Sequence, residues 1–258
     1  MAVEAERGYL IIAVNHSSDC DYIALAEQLS KSIKFHHPSA KTCLLTNQPS
    51  SAQSFDFVKL LPYADQGDFA NDWQAWSASP FRETIKLEAD MLCVSPIDHW
   101  WTLFRAKDLV ISTGAVDFYH RPIQSRFYRK VFDENNLPDV YNAITYWRIS
   151  HTARDFWNLV RSIFDNWSAY KCLIKFAPDK PDTDLVYAMV AQIMGPENVT
   201  MPFASYPKIV HMKPHAIGIK SKDWSQELIW ESLDGGLRVN TVQQWGCFHY
   251  VNKKWQVS

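Results

Sequence analysis

The stretch Thr84–Val94, TIKLEADMLCV, decides how the rest of the chain is read. Thr84–Leu87 reads as a central strand, and Met91–Val94 continues the apolar run. Between them stand two acids, Glu88 and Asp90, separated by Ala89. Carboxylates inside such a stretch are costly to bury unless they are paired, protonated or bound to a cation. On a strand they would face the same way, and at a strand end a turn aims both at one ion. Hard divalent cations such as Mn²⁺ or Mg²⁺ take oxygen ligands and bridge carboxylates to a diphosphate. An isolated acid-x-acid pair also arises on solvated edges or in structural ion pairs. The apolar flanks speak against a solvated face here.

Working outward, Tyr9–Val14 (YLIIAV) reads as a buried first strand ending in the polar loop Asn15–Asp19. Asp21–Phe35 has helical spacing of its apolar residues, and Thr42–Thr46 and Phe55–Leu61 read as strands. This β-α-β-β opening predicts an α/β fold with an open sheet whose ligand site lies beyond the carboxyl ends of its strands. Asp72–Ala78 reads as helical, Leu109–Ser112 and Ala143–Arg148 as strands. Ala153–Trp167 and Asp182–Met194 read as helices, and Ile209–Met212 as a short strand. The tail from Asp223 alternates loops with short strands at Leu237–Val242 and Cys247–Val251. No repeat or long linker interrupts the chain, so a single domain over 1–258 is expected, with a core of about 8–215 and 216–258 packed on it as an extension.

The chain has 258 residues, 47% of them hydrophobic, and a formal net charge of −2, which excludes a general polycationic phosphate-backbone binder. The 11 Trp, 11 Tyr and 14 Phe are read mainly as core, Trp100-Trp101 included. Five scattered cysteines without C-x-x-C spacing fit reduced thiols and a cytoplasmic location. The N-terminal segment has the pattern of neither a signal peptide nor a membrane span. Phosphate-binding glycine motifs are absent and only eight glycines occur, which leaves a metal as the natural means of neutralising phosphate.

Five segments taken in order, YLIIAVN, WSASPFRETIKLEADMLCVSPIDHWW, YNAITYWRIS, DTDLVYAM and IVHMKP, resemble the GT-A glycosyltransferases of the glycogenin-like family 8, above all those encoded by T-even-like tailed phages. The resemblance implies a Rossmann-like nucleotide-diphospho-sugar transferase fold with a mixed central sheet. It implies a retaining glycosyltransferase that uses Mn²⁺ or Mg²⁺ and a nucleotide-diphosphate sugar donor. Glu88 and Asp90 stand at the family's D-x-D, and His211 at its third metal ligand. Lys213 matches a lysine on the donor phosphate, Asn142 the region around the sugar, and Asp182 an aspartate beside sugar and acceptor. Ala13, Val14 and Asn15 match the nucleoside loop, and Ala89 is counted with the donor-binding positions.

Departures accompany the match. Glu88 is one methylene longer than the usual aspartate, and Thr183 replaces a glutamine. The family's upstream donor-binding cation falls near Asn71-Asp72, for which Arg82 or Lys86 is the substitute in this sequence. The Tyr119–Lys130 segment, YHRPIQSRFYRK, interleaves Arg121, Arg126, Arg129 and Lys130 with aromatics. That pattern suits phosphate contacts and base stacking, or equally a solvated helix face. A modified base of phage DNA is therefore one acceptor candidate, beside a protein, a glycan or a small molecule. Two rival readings are a non-catalytic nucleotide-sugar-binding protein of the same fold and a metal-dependent nucleotidyltransferase.

Overall fold

The structure is a computed structural model and describes residues 3–15, 20–49, 54–61, 72–123, 129–202 and 209–255. Its strands are β1 (Ala5–Ala13), β2 (Thr42–Thr46), β3 (Phe57–Leu60), β4 (Phe81–Glu88), β5 (Met91–Cys93), β6 (Leu109–Thr113) and β7 (Ala115–Val116). They continue with β8 (Val140–Arg148), β9 (Ile209–His211), β10 (Trp230–Leu233), β11 (Gly236–Val239), β12 (Val242–Gln243) and β13 (Cys247–His249). The main sheet has six strands in the order β3-β2-β1-β4-β8-β6. β1 pairs in parallel with both β2 and β4, while β8 runs antiparallel to β4 and β6. The sheet is mixed.

β1 reads as an almost continuous apolar run because both of its faces are covered, as expected for a strand flanked in parallel. Tyr9, Ile11 and Ala13 join one core with Ile85, Leu87 and Tyr146, and with Leu25, Leu29 and Ile33 of the helix Tyr22–His36. Leu10 joins a second core with Cys43, Leu45 and Trp147, packed under the helices His151–Asp165 and Thr183–Met194. Each of these helices starts on a side chain that caps it. Asp21 accepts from the Ile23 and Ala24 amides, Ser150 from Ala153 and Asp182 from Leu185, each cap contributing about 1 kcal/mol. Trp100 and Trp101 are buried, and the Trp101 indole donates to the Tyr9 hydroxyl at 3.2 Å. Among the described residues no helix is long and apolar enough to cross a membrane.

A second sheet has the order β5-β13-β9-β7, and a third, β10-β11-β12, lies beside it in sequence. β13 pairs antiparallel with β5 and parallel with β9. The chain after residue 215 therefore contributes an interior strand of the second sheet.

Close packing of β1 on β4 gives a stability test. A Cβ built on Gly8 would stand 2.3 Å from Cζ of the buried Phe81 ring, which itself packs edge-on to Phe57. Gly8→Ala is expected to destabilise the protein by about 1–3 kcal/mol through overpacking, read as a lower midpoint in urea. An unchanged midpoint would show that the ring moves freely aside.

Candidate metal and donor site

The two acids sit at the joint between the sheets. β4 belongs to the six-stranded sheet and ends at Glu88; Ala89 and Asp90 form a turn; β5 begins the second sheet at Met91. An apolar run that would otherwise be one strand is bent here, and the bend aims both carboxyl groups into a cavity of about 220 Å³. Its wall also carries Tyr141 and Ala143 of β8, Asp184, His211, Lys213, His249, Val251 and Lys253. This is the carboxyl-end edge of β1 and β4, where an open α/β sheet presents its ligands.

Oxygen and nitrogen atoms of Glu88, Asp90 and His249 all lie within 4.8 Å of one another. His249 Nε2 is 3.0 Å from Asp90 Oδ2 and 3.5 Å from Glu88 Oε2. His249 ends β13, and its register partner on β9 is His211. The two imidazoles meet at 3.1 Å through their Nδ1 atoms. The histidine grouped with both acids is thus His249, where the sequence reading placed His211. His211 stands behind it, in the wall of the same cavity.

The electrostatics follow from burial and neighbours. Glu88 keeps 29% of its side chain exposed, yet burial of the rest pushes its carboxyl up to about 7, with Asp90 adding to the rise and His249 opposing it. Burial would raise Asp90 too, but the charges and hydrogen bonds of His249 and Lys253 outweigh it and hold Asp90 well below the usual range. Burial opposes a charge on His249, whereas Asp90 and Glu88 more than offset that and raise it. Burial, with the nearby cations of His249, Lys213 and Arg129, drives His211 far down, so it is neutral. A charged His249 then donates from Nε2 to Asp90 and from Nδ1 to His211, which satisfies both contacts.

The remaining sequence-predicted residues separate. Lys213 lines the cavity. Asp182 is occupied as the helix cap, and Asp184, two residues on, is the acid that faces the cavity. Asp184 Oδ1 accepts from the Asn142 amide at 2.7 Å, and Oδ2 lies 3.6 Å from Arg129. Asn142 thus contributes its backbone, while its neighbours Tyr141 and Ala143 face inward. Ala13 and Val14 are buried at the end of β1, and Asn15 ties its loop to Asp21, Tyr22 and Asn47. Ala89 is buried in the turn between the acids.

The cations named in the sequence reading stand as follows. Arg82 is the second residue of β4, six residues before Glu88 and so about 20 Å along the strand, and pairs with Glu6. Lys86 is buried and ion-paired with Asp72, whose carboxylate also accepts from the Tyr187 hydroxyl at 3.1 Å. Its amine therefore neutralises Asp72 instead of reaching a donor. Arg129 is 4% exposed, sandwiched between Phe132 and Tyr141 and paired with Asp139, so it is a core cation and not an acceptor contact. Arg121 is held by Asp117 in a two-nitrogen contact and lies over Tyr119. Lys130 sits over the Phe176 ring, and Arg126 lies outside the described residues.

The residues present fit a divalent cation. Two carboxylates and an imidazole span a distance that one ion with bonds of roughly 2.1 Å bridges after small side-chain movement. Buried acids of this kind require a positive partner, and here the Lys253 amine and His249 stand in for one on Asp90.

The chain matches no protein-family profile and no curated protein sequence. Among solved structures it is similar to the galactosyltransferase LgtC in complex with donor and acceptor sugar analogues, at TM-score 0.45 and 11% identity over 71% of this chain and 70% of that one. An active-site mutant of LgtC gives TM-score 0.46 and 12% identity over the same shares. Likenesses of this size leave function to be read from the site itself.

Proposed function

We propose that the chain is a GT-A-type glycosyltransferase that moves a sugar from a nucleotide-diphosphate donor to an acceptor, with retention of anomeric configuration and with Mn²⁺ or Mg²⁺ bound. The observation that carries this is the convergence of Glu88, Asp90 and His249 within 4.8 Å in a cavity that also holds Lys213 and Asp184. A divalent ion at that place supplies Lewis-acid help to a departing diphosphate. Glu88, Asp90 and His249 would hold it, and His211 orients His249 through the Nδ1 contact. Lys213, on the cavity wall, sets positive charge against the phosphate as negative charge develops there. Asp184, fixed by the Asn142 amide and Arg129, orients a sugar hydroxyl, in the place beside sugar and acceptor that the resemblance gave to Asp182. No residue is assigned as a covalent nucleophile.

A thermal-shift screen of nucleotide sugars with and without Mn²⁺ tests this reading. A donor at a hundred times its Kd adds about 2.7 kcal/mol of stability by mass action. A melting temperature raised further by donor and metal together than by either alone is the expected result. A flat response across donors, in both conditions, would remove the reading. Acceptors are then separated by offering DNA, saccharides and peptides to the donor-loaded protein.

The site also sets a pH dependence. Below about 7 the ion must displace a proton from Glu88 as well as the charge on His249. Metal affinity is expected to climb between pH 6 and 7.5, by up to about tenfold per unit for each proton released. In the metal-free protein the raised Glu88 carboxyl binds a proton on folding. Its stabilising contribution is therefore full below 4.5 and lost as the pH rises to about 7. Calorimetric titration across this range checks both trends, and a pH-independent affinity would contradict them.

A further inference from the structure

We infer that the Lys253 ammonium is a built-in occupant of the cation position, and that a divalent ion enters the site by displacing it; this rests on the metal reading above. The chain after β13 turns back over the acids. The Tyr250 amide donates to the Asp90 carbonyl at 3.2 Å, which pins the start of the turn. Trp255 pins its end, 4% exposed and packed against Trp224, Trp230 and Tyr250 at ring separations of 4.9, 5.4 and 5.1 Å. Between these anchors Val251 has a φ of +63°, a left-handed conformation that β-branched residues avoid and that persists where surrounding contacts fix it. The Asn252 amide bonds Tyr250 O and the Trp255 amide bonds Asn252 O, closing the turn.

This clamped turn sends Lys253 to the acids. Its amine forms an ion pair with Asp90 Oδ2 and stands 5.5 Å above the Tyr22 ring. Asp90 is 6% exposed at its side chain and Lys253 is 32% exposed, so one partner is fixed inside and the other has a way out. The same carboxylate oxygen accepts from His249 and is part of the group that would hold an ion. An ammonium and a divalent ion cannot both sit on it, because like charges at such separations repel strongly where water is scarce. Lys253 has a long flexible stem and a compact charge that water solvates well, so it is the group that leaves. The consequence is a site whose acids stay charge-balanced without metal. The fold then does not depend on the ion, and metal uptake carries the cost of separating Lys253 from Asp90.

The test compares Mn²⁺ binding by calorimetry in the wild type, Lys253→Met and Lys254→Met. Lys254 is the exposed neighbour and controls for the change in net charge. Lys253→Met is expected to bind Mn²⁺ about tenfold more tightly, a factor that corresponds to one lost competing contact, while Lys254→Met stays within about twofold. In the wild type, acylation of the Lys253 amine, followed by mass spectrometry, is expected to be slow without metal and to quicken with Mn²⁺, with Lys254 unaffected. Equal or weaker Mn²⁺ binding by Lys253→Met, or Lys253 still protected with Mn²⁺ bound, would overturn the displacement and leave the metal reading standing. Absence of Mn²⁺ binding in both wild type and Lys253→Met would overturn the metal reading and this inference together.

Discussion

If the proposed function holds, Asp90→Asn is expected to lower turnover of a nucleotide-sugar donor with Mn²⁺ by about a thousandfold, a loss of about 4 kcal/mol in the transition state, while the protein remains folded. The substitution keeps the size of the side chain and an oxygen that still accepts from His249 Nε2. What it removes is the negative charge, at the one acid that touches both His249 and Lys253. Glu88 cannot replace it, since burial already pushes the Glu88 carboxyl up to about 7. Removing the charge also leaves the buried His249 and Lys253 without their counter-charge, so a melting temperature lowered by several degrees is expected beside the loss of turnover. Steady-state kinetics beside a melting curve checks both halves. A folded variant that keeps its turnover would show that Asp90 holds no ion.

His249→Ala and His211→Ala divide the two histidines by role. His249 offers Nε2 to the group formed with Glu88 and Asp90, so its loss removes a ligand. His211 touches His249 through Nδ1, so its loss frees the ring of His249 without removing a donor atom. Loss of an outer partner costs about 10–100-fold in metal affinity, which places His211→Ala near tenfold and His249→Ala beyond about a hundredfold. Mn²⁺ titration followed by the signal of the free ion measures both. The reverse order, with His211→Ala the more damaging, would restore His211 as the ligand and leave His249 as its support.

The strands of the main sheet were legible because burial on both faces leaves an unbroken apolar run, as in YLIIAV and TCLLT. The acids were legible for the converse reason, since Glu88 and Asp90 interrupt such a run. The division of that run between two sheets was not legible, because periodicity does not say which partner a strand takes. His249 was missed for the same reason. CFH and IVH are alike, each an apolar strand ending in histidine, with lysine close behind, but only pairing across 38 residues shows that both rings reach one cavity. Asp182 and Asp184 could not be separated, since a helix start turns capping and inward-facing acids in directions set by the helix axis. The enclosure of Arg129 by Phe132 and Tyr141 was not legible, because a cation among aromatics has the same sequence pattern whether the rings enclose it or lie open to a ligand.

The central claim is that Glu88, Asp90 and His249 hold one divalent ion. Anomalous diffraction at the manganese edge from crystals grown with Mn²⁺ tests it most directly. A single strong peak bounded by those three side chains, with the Lys253 amine withdrawn from Asp90, is the predicted result. Crystals soaked in Mn²⁺ that show no peak there, with Lys253 still on Asp90, would contradict it.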